Sequence, residues 1–339
     1  MTLSQRTPLV LGLIAILTIG LTLSFVFLSI PPTDNNPTHT EIRIDLIGAI
    51  DTGGAGLRVH VEGNLAFVID TGTEGTYGLI IVNIADPMQP TIVGTYHAGG
   101  LPFAIDSEGD IVYIADQIEG LIILNISDVA NPTPIPGFTG SRSYDIELID
   151  DLLYLADDEE GLVILNASNP SAPEFISNYG QRCIHLAIEG DIAYSTIQGL
   201  SLIDISDSMH PSLLSNREDG TGFWDPSVSN GILYLANHNG GVGELQVYDV
   251  SDPYNIEKIS EFDSEGNFQS FDVQGSVLYA VDFEIGLYLL DIRNPSSPSE
   301  IALFDGGGRP WDVKVCGEYI YLVGSEGLQI LQITEVAIF

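Results

Sequence analysis

From about residue 40 onward, apolar residues occur in short alternating or continuous runs, separated by turns rich in Gly, Asp, Asn and Pro. This pattern is typical of β-strands, and no stretch has the spacing of an amphipathic helix. One unit recurs seven times: an apolar run, a polar turn, a second run with an aromatic residue, then Asp or Asn, and then Gly-Leu. The aromatic residues are Phe67, Tyr113, Tyr154, Tyr194, Tyr234, Tyr279 and Tyr321, at spacings of 46, 41, 40, 40, 45 and 42. Such spacing is typical of four-stranded propeller blades.

The turn residues of the unit have a structural explanation. Short polar side chains that can bond the turning backbone follow the second strand at Asp70, Asp116, Asp157, Asn237 and Asp282. The glycine of the following Gly-Leu then permits the next turn, as at Gly120-Leu121 and Gly161-Leu162. We therefore interpret this row of carboxylates as turn residues rather than as a catalytic set.

The two ends of the repeated region complete each other. The seventh copy stops at GLQILQITEVAIF and has no outer strand of its own, whereas residues 41–54, before the first copy, are similar to the outer-strand segments. Pairing of the two ends would close the ring and remove its open edges. The predicted fold is all-β, a seven-bladed β-propeller of four-stranded blades over residues 41–339, closed by an N-terminal outer strand.

The N-terminal segment predicts an anchor. Residues 8–30 contain no charged side chain and are long enough, as a helix, to cross a bilayer core of roughly 30 Å. We expect a cytoplasmic N-terminus at 1–7, a transmembrane signal-anchor at 8–30 and a linker at 31–40, with the propeller outside the membrane. The alternative is a cleaved signal peptide and secretion, but no A-x-A site precedes Pro31.

Composition restricts the partners. The chain of 339 residues has 47 acidic and 10 basic side chains, a formal charge of −37, so a nucleic-acid partner is not expected. The acidity resembles that of proteins adapted to high salt, although charge of one sign also favours solubility. Cys183 and Cys316 are expected to be separate buried thiols, with a disulfide between them as the alternative.

The units share long similar segments, such as GLIIVNIADPMQPTIVGTY, GLVILNASNPSAPEFISNY and GLYLLDIRNPSSPSEIALF. In these segments the chain resembles the LVIVD-repeat family of bacterial and archaeal surface proteins, and the resemblance covers nearly all of the chain beyond residue 40. It implies a propeller fold and extracytoplasmic recognition, and it implies no catalytic residues. The fifth copy departs from the pattern, with Gly243-Glu244 where Gly-Leu is expected.

Alternation along the first strand of each unit predicts which side chains line the central channel. The polar residues so placed are Arg58, His60, Asp106, Asp145, Glu147, His185, Asp225, Asp272, Asp312 and Lys314. One interpretation is a solvated tunnel whose charges offset one another. The other is a site for a polar ligand or a hard cation such as calcium, since carboxylate oxygens suit calcium, although no linear calcium-binding loop is present.

The scarce cations give a second candidate site. Six of the ten lie in or just after the loops leading into first strands, which meet at one end of a propeller. With neighbouring aromatic residues they predict a ligand-binding face of Arg142, Tyr144, Arg182, Trp224, Phe268, Arg309 and Trp311. Arg, Trp and Tyr dominate binding hot spots. The alternative is that these arginines pair locally with the abundant aspartates.

No catalytic motif occurs, and the only plausible acid/base set is His185 with Asp145 and Asp225. The leading hypothesis is a non-enzymatic, membrane-anchored recognition or scaffold protein that binds a surface protein or glycan and needs no cofactor. The alternative is an extracellular carbohydrate-active hydrolase or lyase with a site at the channel mouth, helped by bound calcium. The sequence leaves open the ligand and the oligomeric state.

Overall fold

The described residues fold into seven four-stranded antiparallel sheets. The computed structural model describes residues 39–72, 77–136, 142–197, 199–217, 222–237, 243–306 and 308–338. These residues contain strands and no helix, and therefore no helix able to cross a membrane. The anchor predicted at 8–30, with the segment 1–7 and most of the linker, lies outside the described residues.

Each of the first three blades runs in chain order from its innermost to its outermost strand. Blade 1 contains β2 (Gly56–Glu62), β3 (Leu65–Asp70), β4 (Gly78–Asn83) and β5 (Thr91–His97). Blade 2 contains β6 (Pro102–Glu108), β7 (Ile111–Asp116), β8 (Gly120–Asn125) and β9 (Thr133–Ile135). Blade 3 contains β10 (Ser143–Ile149), β11 (Leu152–Asp157), β12 (Gly161–Asn166) and β13 (Glu174–Tyr179).

The next three blades repeat this order. Blade 4 contains β14 (His185–Glu189), β15 (Ile192–Thr196), β16 (Leu200–Asp204) and β17 (Ser212–Arg217). Blade 5 contains β18 (Phe223–Ser229), β19 (Ile232–Asn237), β20 (Glu244–Asp249) and β21 (Glu257–Asp263). Blade 6 contains β22 (Phe268–Gln274), β23 (Val277–Asp282), β24 (Gly286–Asp291) and β25 (Ser299–Phe304).

Blade 7 joins the two ends of the described chain. It contains β26 (Pro310–Cys316), β27 (Tyr319–Gly324), β28 (Gly327–Ile338) and, as its outermost strand, β1 (His39–Ile50). β1 and β28 pair antiparallel along their whole lengths, from His39 opposite Ile338 to Ile50 opposite Leu328. Innermost strands of successive blades lie side by side, and β26 lies beside β2, so the ring is closed. The predicted seven-bladed propeller and its closing strand are confirmed.

The hydrophobic core lies between neighbouring blades. One cluster joins Phe67 and Ile69 of blade 1 to Ile105, Val112 and Ile114 of blade 2, and similar clusters occupy the other interfaces. All seven repeated aromatic residues are at most 4 % exposed. They lie on second strands, where the alternation of side chains between the two faces of a sheet directs them into the interfaces between blades. Their burial explains why an aromatic residue recurs in every unit.

Because adjacent strands are antiparallel, the loops fall into two groups. Loops into first strands and turns between second and third strands lie at one end of the disc, here called the top face. Turns between first and second strands and loops between third and fourth strands lie at the other end, the bottom face. β1 runs from the bottom to the top, so His39 begins at the bottom face.

Candidate functional site

The aspartates after the second strands act as turn residues, as predicted. The Asp116 carboxylate is fully buried, and its Oδ1 accepts hydrogen bonds from the backbone N–H groups of Leu101, Ile118 and Glu119 at 3.1, 2.7 and 2.9 Å. Asp282 likewise accepts from Glu284 and Ile285 at 2.9 and 3.0 Å. These carboxylates hold the top-face turns in place.

The upper tier of the channel is organised by Arg58. We define this tier as Arg58, Asp145, His185, Asp225 and Asp312. Arg58 Nη2 donates to Asp225 Oδ1 at 2.9 Å, and Nη1 lies 3.9 Å from Asp312 Oδ1. Blade 5 lies across the ring from blade 1, so the Arg58 side chain crosses the channel. Burial opposes its charge, but Asp225, Asp312 and Asp145 outweigh burial and raise the pKa of Arg58.

The lower tier contains His60, Asp106, Glu147, Asp272 and Lys314. His60 Nδ1 lies 3.5 Å from Asp106 Oδ1, and Lys314 Nζ lies 3.9 Å from Asp272 Oδ2. Burial lowers the pKa of His60, so the imidazole is neutral at pH 7. Asp272 is the main cause of a raised pKa of Lys314. Each tier therefore has more carboxylates than cations.

A carboxylate bridges every interface between blades to the backbone of the next blade. A first strand is the inner edge of its sheet, so its N–H groups on that side need acceptors. The pairs, in order around the ring, are Glu62 with Gly109, Asp106 with Leu148, Asp145 with Leu186, Glu189 with Gly231, Asp225 with Phe271, Asp272 with Val315 and Asp312 with Val59, at N···O distances of 2.7 to 3.4 Å. Five channel aspartates thus cap N–H groups of first strands, whereas Glu62 and Glu189 cap N–H groups of the turns that follow first strands.

Crowding of these acids changes their titration. Burial raises the pKa of Asp145 to about 7, with Arg58 opposing the shift. Burial, followed by the fields of Asp145 and Asp106, raises the pKa of Glu147 well above its ordinary value. Burial also raises the pKa values of Asp272 and Asp312. Protons are therefore held more tightly in the folded channel than in the unfolded chain.

The geometry of the described channel residues gives the calcium hypothesis no added support. Within the described residues, no group of three or more His, Cys, Asp and Glu side chains is arranged to hold a metal ion. His185 is half-buried in the upper tier. The two carboxylates expected to orient it also accept other hydrogen bonds: Asp145 accepts from Leu186 and Ile146, and Asp225 accepts from Arg58.

On the top face, two predicted arginines converge on one acid. Arg142 belongs to the loop before β10 and Arg182 to the loop before β14. Arg142 Nη1 lies 3.7 Å from Asp158 Oδ2, and Arg182 Nε donates to Asp158 Oδ1 at 2.6 Å. Asp158 is mostly buried, whereas both arginines remain about half exposed. The alternative of local pairing therefore holds for these two, although their guanidinium groups keep solvent-accessible surface.

Aromatic side chains stand beside this pair at the junction of blades 2 and 3. Phe103 and Tyr144 stack with ring centroids 5.2 Å apart, and Gln117 Nε2 donates to the Tyr144 hydroxyl. Phe103 is 37 % exposed and Ile118, in the neighbouring turn, is 62 % exposed. We call Phe103, Ile118, Arg142, Tyr144 and Arg182 the top-face cluster.

A second group lies between blades 6 and 7. The Arg309 guanidinium stands 5.4 Å from the ring centroid of Phe283, and the Phe283 and Trp311 rings are 4.8 Å apart. A cation over an aromatic face is favourable by about 0.5–1 kcal/mol at exposed sites. Arg309 and Trp311, which were both predicted for the binding face, therefore both contact Phe283.

Bulges in the first strands explain which aromatic residues reach the top face. The ladder shifts between Pro102 and Ala104, between Ser143 and Asp145, and between Pro310 and Asp312. The additional residues are Phe103, Tyr144 and Trp311. A bulge re-aims the side chain that it inserts, so these rings leave the alternation of the channel row.

Two predictions were wrong: that Phe268 belongs to the binding face and that Cys316 is buried. Phe268 is 0 % exposed and packs with Phe262, Phe271 and Tyr288, so it belongs to the core rather than to the binding face. Cys183 is buried, but Cys316 is exposed at the bottom end of β26; both thiols are free. The side chain of Trp224 lies outside the described part of the structure.

Sequence reasoning missed Phe103, Ile118 and Phe283. Phe103 occupies the same bulge position as Tyr144 and Trp311, and an aromatic residue immediately before the upper-tier position could have identified it. Ile118 and Phe283 follow the buried aspartates Asp116 and Asp282 in the turns, where an apolar residue is unexpected. A search for apolar residues in otherwise polar turns would have found both.

Comparisons with known proteins agree with this architecture. The match to the solved β-propeller domain of Myceliophteria thermophila Cps50 (Swd1) has a TM-score of 0.65 at 12 % identity and covers 86 % of this chain and 100 % of that one. The computationally designed Ika8 protein matches with a TM-score of 0.61 at 7 % identity, covering 85 % of this chain and 99 % of that one. At such identities the likeness defines the class of protein, a β-propeller.

The sequence repeats identify the family more closely. The LVIVD repeat model matches residues 53–98, 105–135, 140–181, 184–219, 265–305 and 307–335, more than half of the chain, so the chain belongs to the LVIVD repeat family. The unmatched stretch contains blade 5, where Glu244 pairs with Asn237 in the position that Gly78 takes opposite Asp70. No curated protein matches the chain.

Proposed function

We propose that this protein is a non-enzymatic recognition or scaffold protein, anchored in the cell membrane, that binds a surface protein or glycan through its top face. The observation that carries the proposal is the top-face cluster: exposed Phe103 and Ile118 beside two half-exposed arginines. Apolar rings with guanidinium groups are the residue types on which binding energy concentrates. Arg58 crosses the upper tier and the channel carboxylates cap backbone donors, which favours binding on the face over chemistry in the channel.

Two substitutions test the binding face. We expect Phe103→Ala and Arg182→Ala, each in the full chain, to weaken retention on cell-surface protein and glycan arrays by about thirtyfold, which corresponds to a hot spot of about 2 kcal/mol. Met209→Ala is the matched control, because Met209 is exposed in a loop of the bottom face. Far-UV circular dichroism checks that each variant folds. Unchanged retention by both top-face variants would exclude this face. An equal loss in Met209→Ala would show that the effect is not specific to the top face.

The anchor is tested separately. We expect the full chain to remain in the membrane pellet after alkaline carbonate extraction, with residues 1–30 still attached by N-terminal sequencing. Removal of residues 1–30 should release a folded propeller. A mature chain that begins after Ile30 would show that the segment is a cleaved signal peptide.

A further inference from the structure

β1 has an exposed edge that is longer than the exposed edges of the other outer strands. It spans twelve residues, whereas the outer strands of the other six blades span three to seven. One edge of β1 pairs with β28, and no strand of the described residues pairs with the other edge. An exposed strand edge presents unpaired N–H and C=O groups to a further strand.

The side chains along β1 are self-complementary. Arg43 and Asp45 lie on one side of the strand, where Arg43 Nε contacts Asp45 Oδ1 at 2.6 Å. Ile42 and Leu46, on the other side, are 36 % and 48 % exposed. If a second β1 pairs antiparallel about Ile44, Arg43 stands opposite Asp45 of the other copy, and Ile42 stands opposite Leu46. Opposite charges and apolar pairs directly across a ladder are both stabilising.

The apolar side of this edge adjoins an open groove. Its walls are β1 and the outer strand of blade 6, with Ile42, Ile44, Ile301 and Leu303 among its lining residues. In an antiparallel ladder, directly opposite residues project to the same side of the sheet. A second copy of β1 would therefore extend the apolar wall formed by Ile42, Ile44 and Leu46.

We propose that β1 is a self-association edge through which two copies of the chain pair, antiparallel and centred on Ile44. The two closing blades then form one eight-stranded sheet about a two-fold axis, which is an isologous interface. Each copy has a charge of −37, so repulsion opposes the contact at low ionic strength. The pair forms when salt screens that repulsion.

A charge-swap experiment tests this pairing and its register. We expect sedimentation velocity of the full chain in density-matched detergent to show a dimer at about 0.5 M NaCl. This is above physiological ionic strength, so the Debye length is shorter than about 8 Å and the repulsion is screened. Arg43→Asp and Asp45→Arg should each weaken self-association by about tenfold or more, because each places like charges opposite each other. A mixture of the two variants should recover the dimer, since both cross-strand pairs are then complementary.

Lys258→Asp is the control, because Lys258 is a cation on the outer strand β21 of blade 5 and should not affect association. A wild-type chain that stays monomeric at all salt concentrations would overturn the proposal. Loss of association in the control, equal to that in the β1 variants, would also overturn it.

Cysteine cross-linking gives a second readout of the same register. In a Cys316→Ser background, Arg43→Cys mixed with Asp45→Cys should form a disulfide-linked heterodimer, because opposite residues in an antiparallel ladder lie within bonding distance. Each variant alone should form little linked dimer. Cross-linking of each variant with itself, and none in the mixture, would contradict pairing about Ile44.

Discussion

At the scale of single residues, aspartate occurs in two different environments, one on the top face and one in the channel. Asp158 on the top face is neutralised by Arg142 and Arg182, whereas Asp145 in the channel shares Arg58 with two other acids. Folding therefore brings Asp145 into a place where its charge is only partly compensated. Its hydrogen bonds from Leu186 and Ile146 explain why an acid is nevertheless used there.

The raised pKa of Asp145 predicts how stability depends on pH. With a pKa of about 7 in the fold and 3.8 as the ordinary value, Asp145 holds its proton more tightly in the folded chain. The stabilisation is fully present below the unfolded pKa and is lost as pH rises from about 4 through about 7. Asp145→Asn has no group that titrates at this position. Between about pH 4 and about pH 8, the free energy of unfolding of wild type should therefore fall by about 1–2 kcal/mol more than that of the variant.

Denaturant unfolding of both proteins at each pH measures this difference. The surface acids titrate in both chains and cancel in the comparison, whereas the pKa of Glu147 falls in the variant because the field of Asp145 is removed. Parallel stability curves for the two proteins would contradict the raised pKa of Asp145.

At the scale of strands and loops, a second belt of contacts joins the blades near their outer edges. Hydroxyl groups of outer strands donate to carbonyl oxygens in the next blade: Ser177 to Ser208 at 2.6 Å and Ser260 to Pro295 at 2.6 Å. At the interface of blades 1 and 2, glycine replaces serine, and a Cβ added to Gly94 would lie 1.8 Å from the Val129 carbonyl oxygen. The backbones there approach too closely for any side chain.

Gly94→Ala should therefore destabilise the fold by about 1–3 kcal/mol, since overpacking forces the backbone to shift. Gly180→Ala is a matched control, because no atom lies within 4 Å of its added Cβ. Thermal unfolding followed by circular dichroism compares the two variants. Equal melting temperatures for both would show that the outer belt yields easily.

These elements also show what the sequence can and cannot predict. Strand alternation places Asp106 on the side of its strand from which it contacts His60 of blade 1 and Leu148 of blade 3, because side-chain direction is a local property. It does not predict that Arg58 meets Asp225, since that contact joins opposite sides of a closed ring. Phe268 was misassigned because nearness to a loop does not show which residue of the first strand is inserted at the bulge. Phe268 pairs with Asp282, and Gln269 takes the inserted position that Phe103, Tyr144 and Trp311 take in other blades.

At the scale of the whole molecule, ring closure and net charge act against each other. β1 ties the last blade by a twelve-residue ladder, while 47 acids on a chain with 10 cations repel one another. The carboxylates that bridge the blades offset only part of this repulsion. The stability of the disc should consequently depend on ionic strength.

We expect the melting temperature of the full chain to rise by several degrees when NaCl increases from about 0.01 M to about 0.15 M, as the Debye length falls from about 30 to about 8 Å. Differential scanning calorimetry measures the change. The same titration at pH 4, where many carboxylates are protonated, should give a smaller increase. A melting temperature independent of salt at pH 7 would mean that the repulsion is already balanced within the fold.

The direction of β1 has a consequence for where the proposed partners must be. Because β1 begins with His39 at the bottom of the disc, the chain enters the propeller at the face opposite to Phe103 and Arg182. Antiparallel pairing of two β1 strands turns one disc over relative to the other. The two top faces would then point in opposite directions, so a pair of discs would present one binding face to each side.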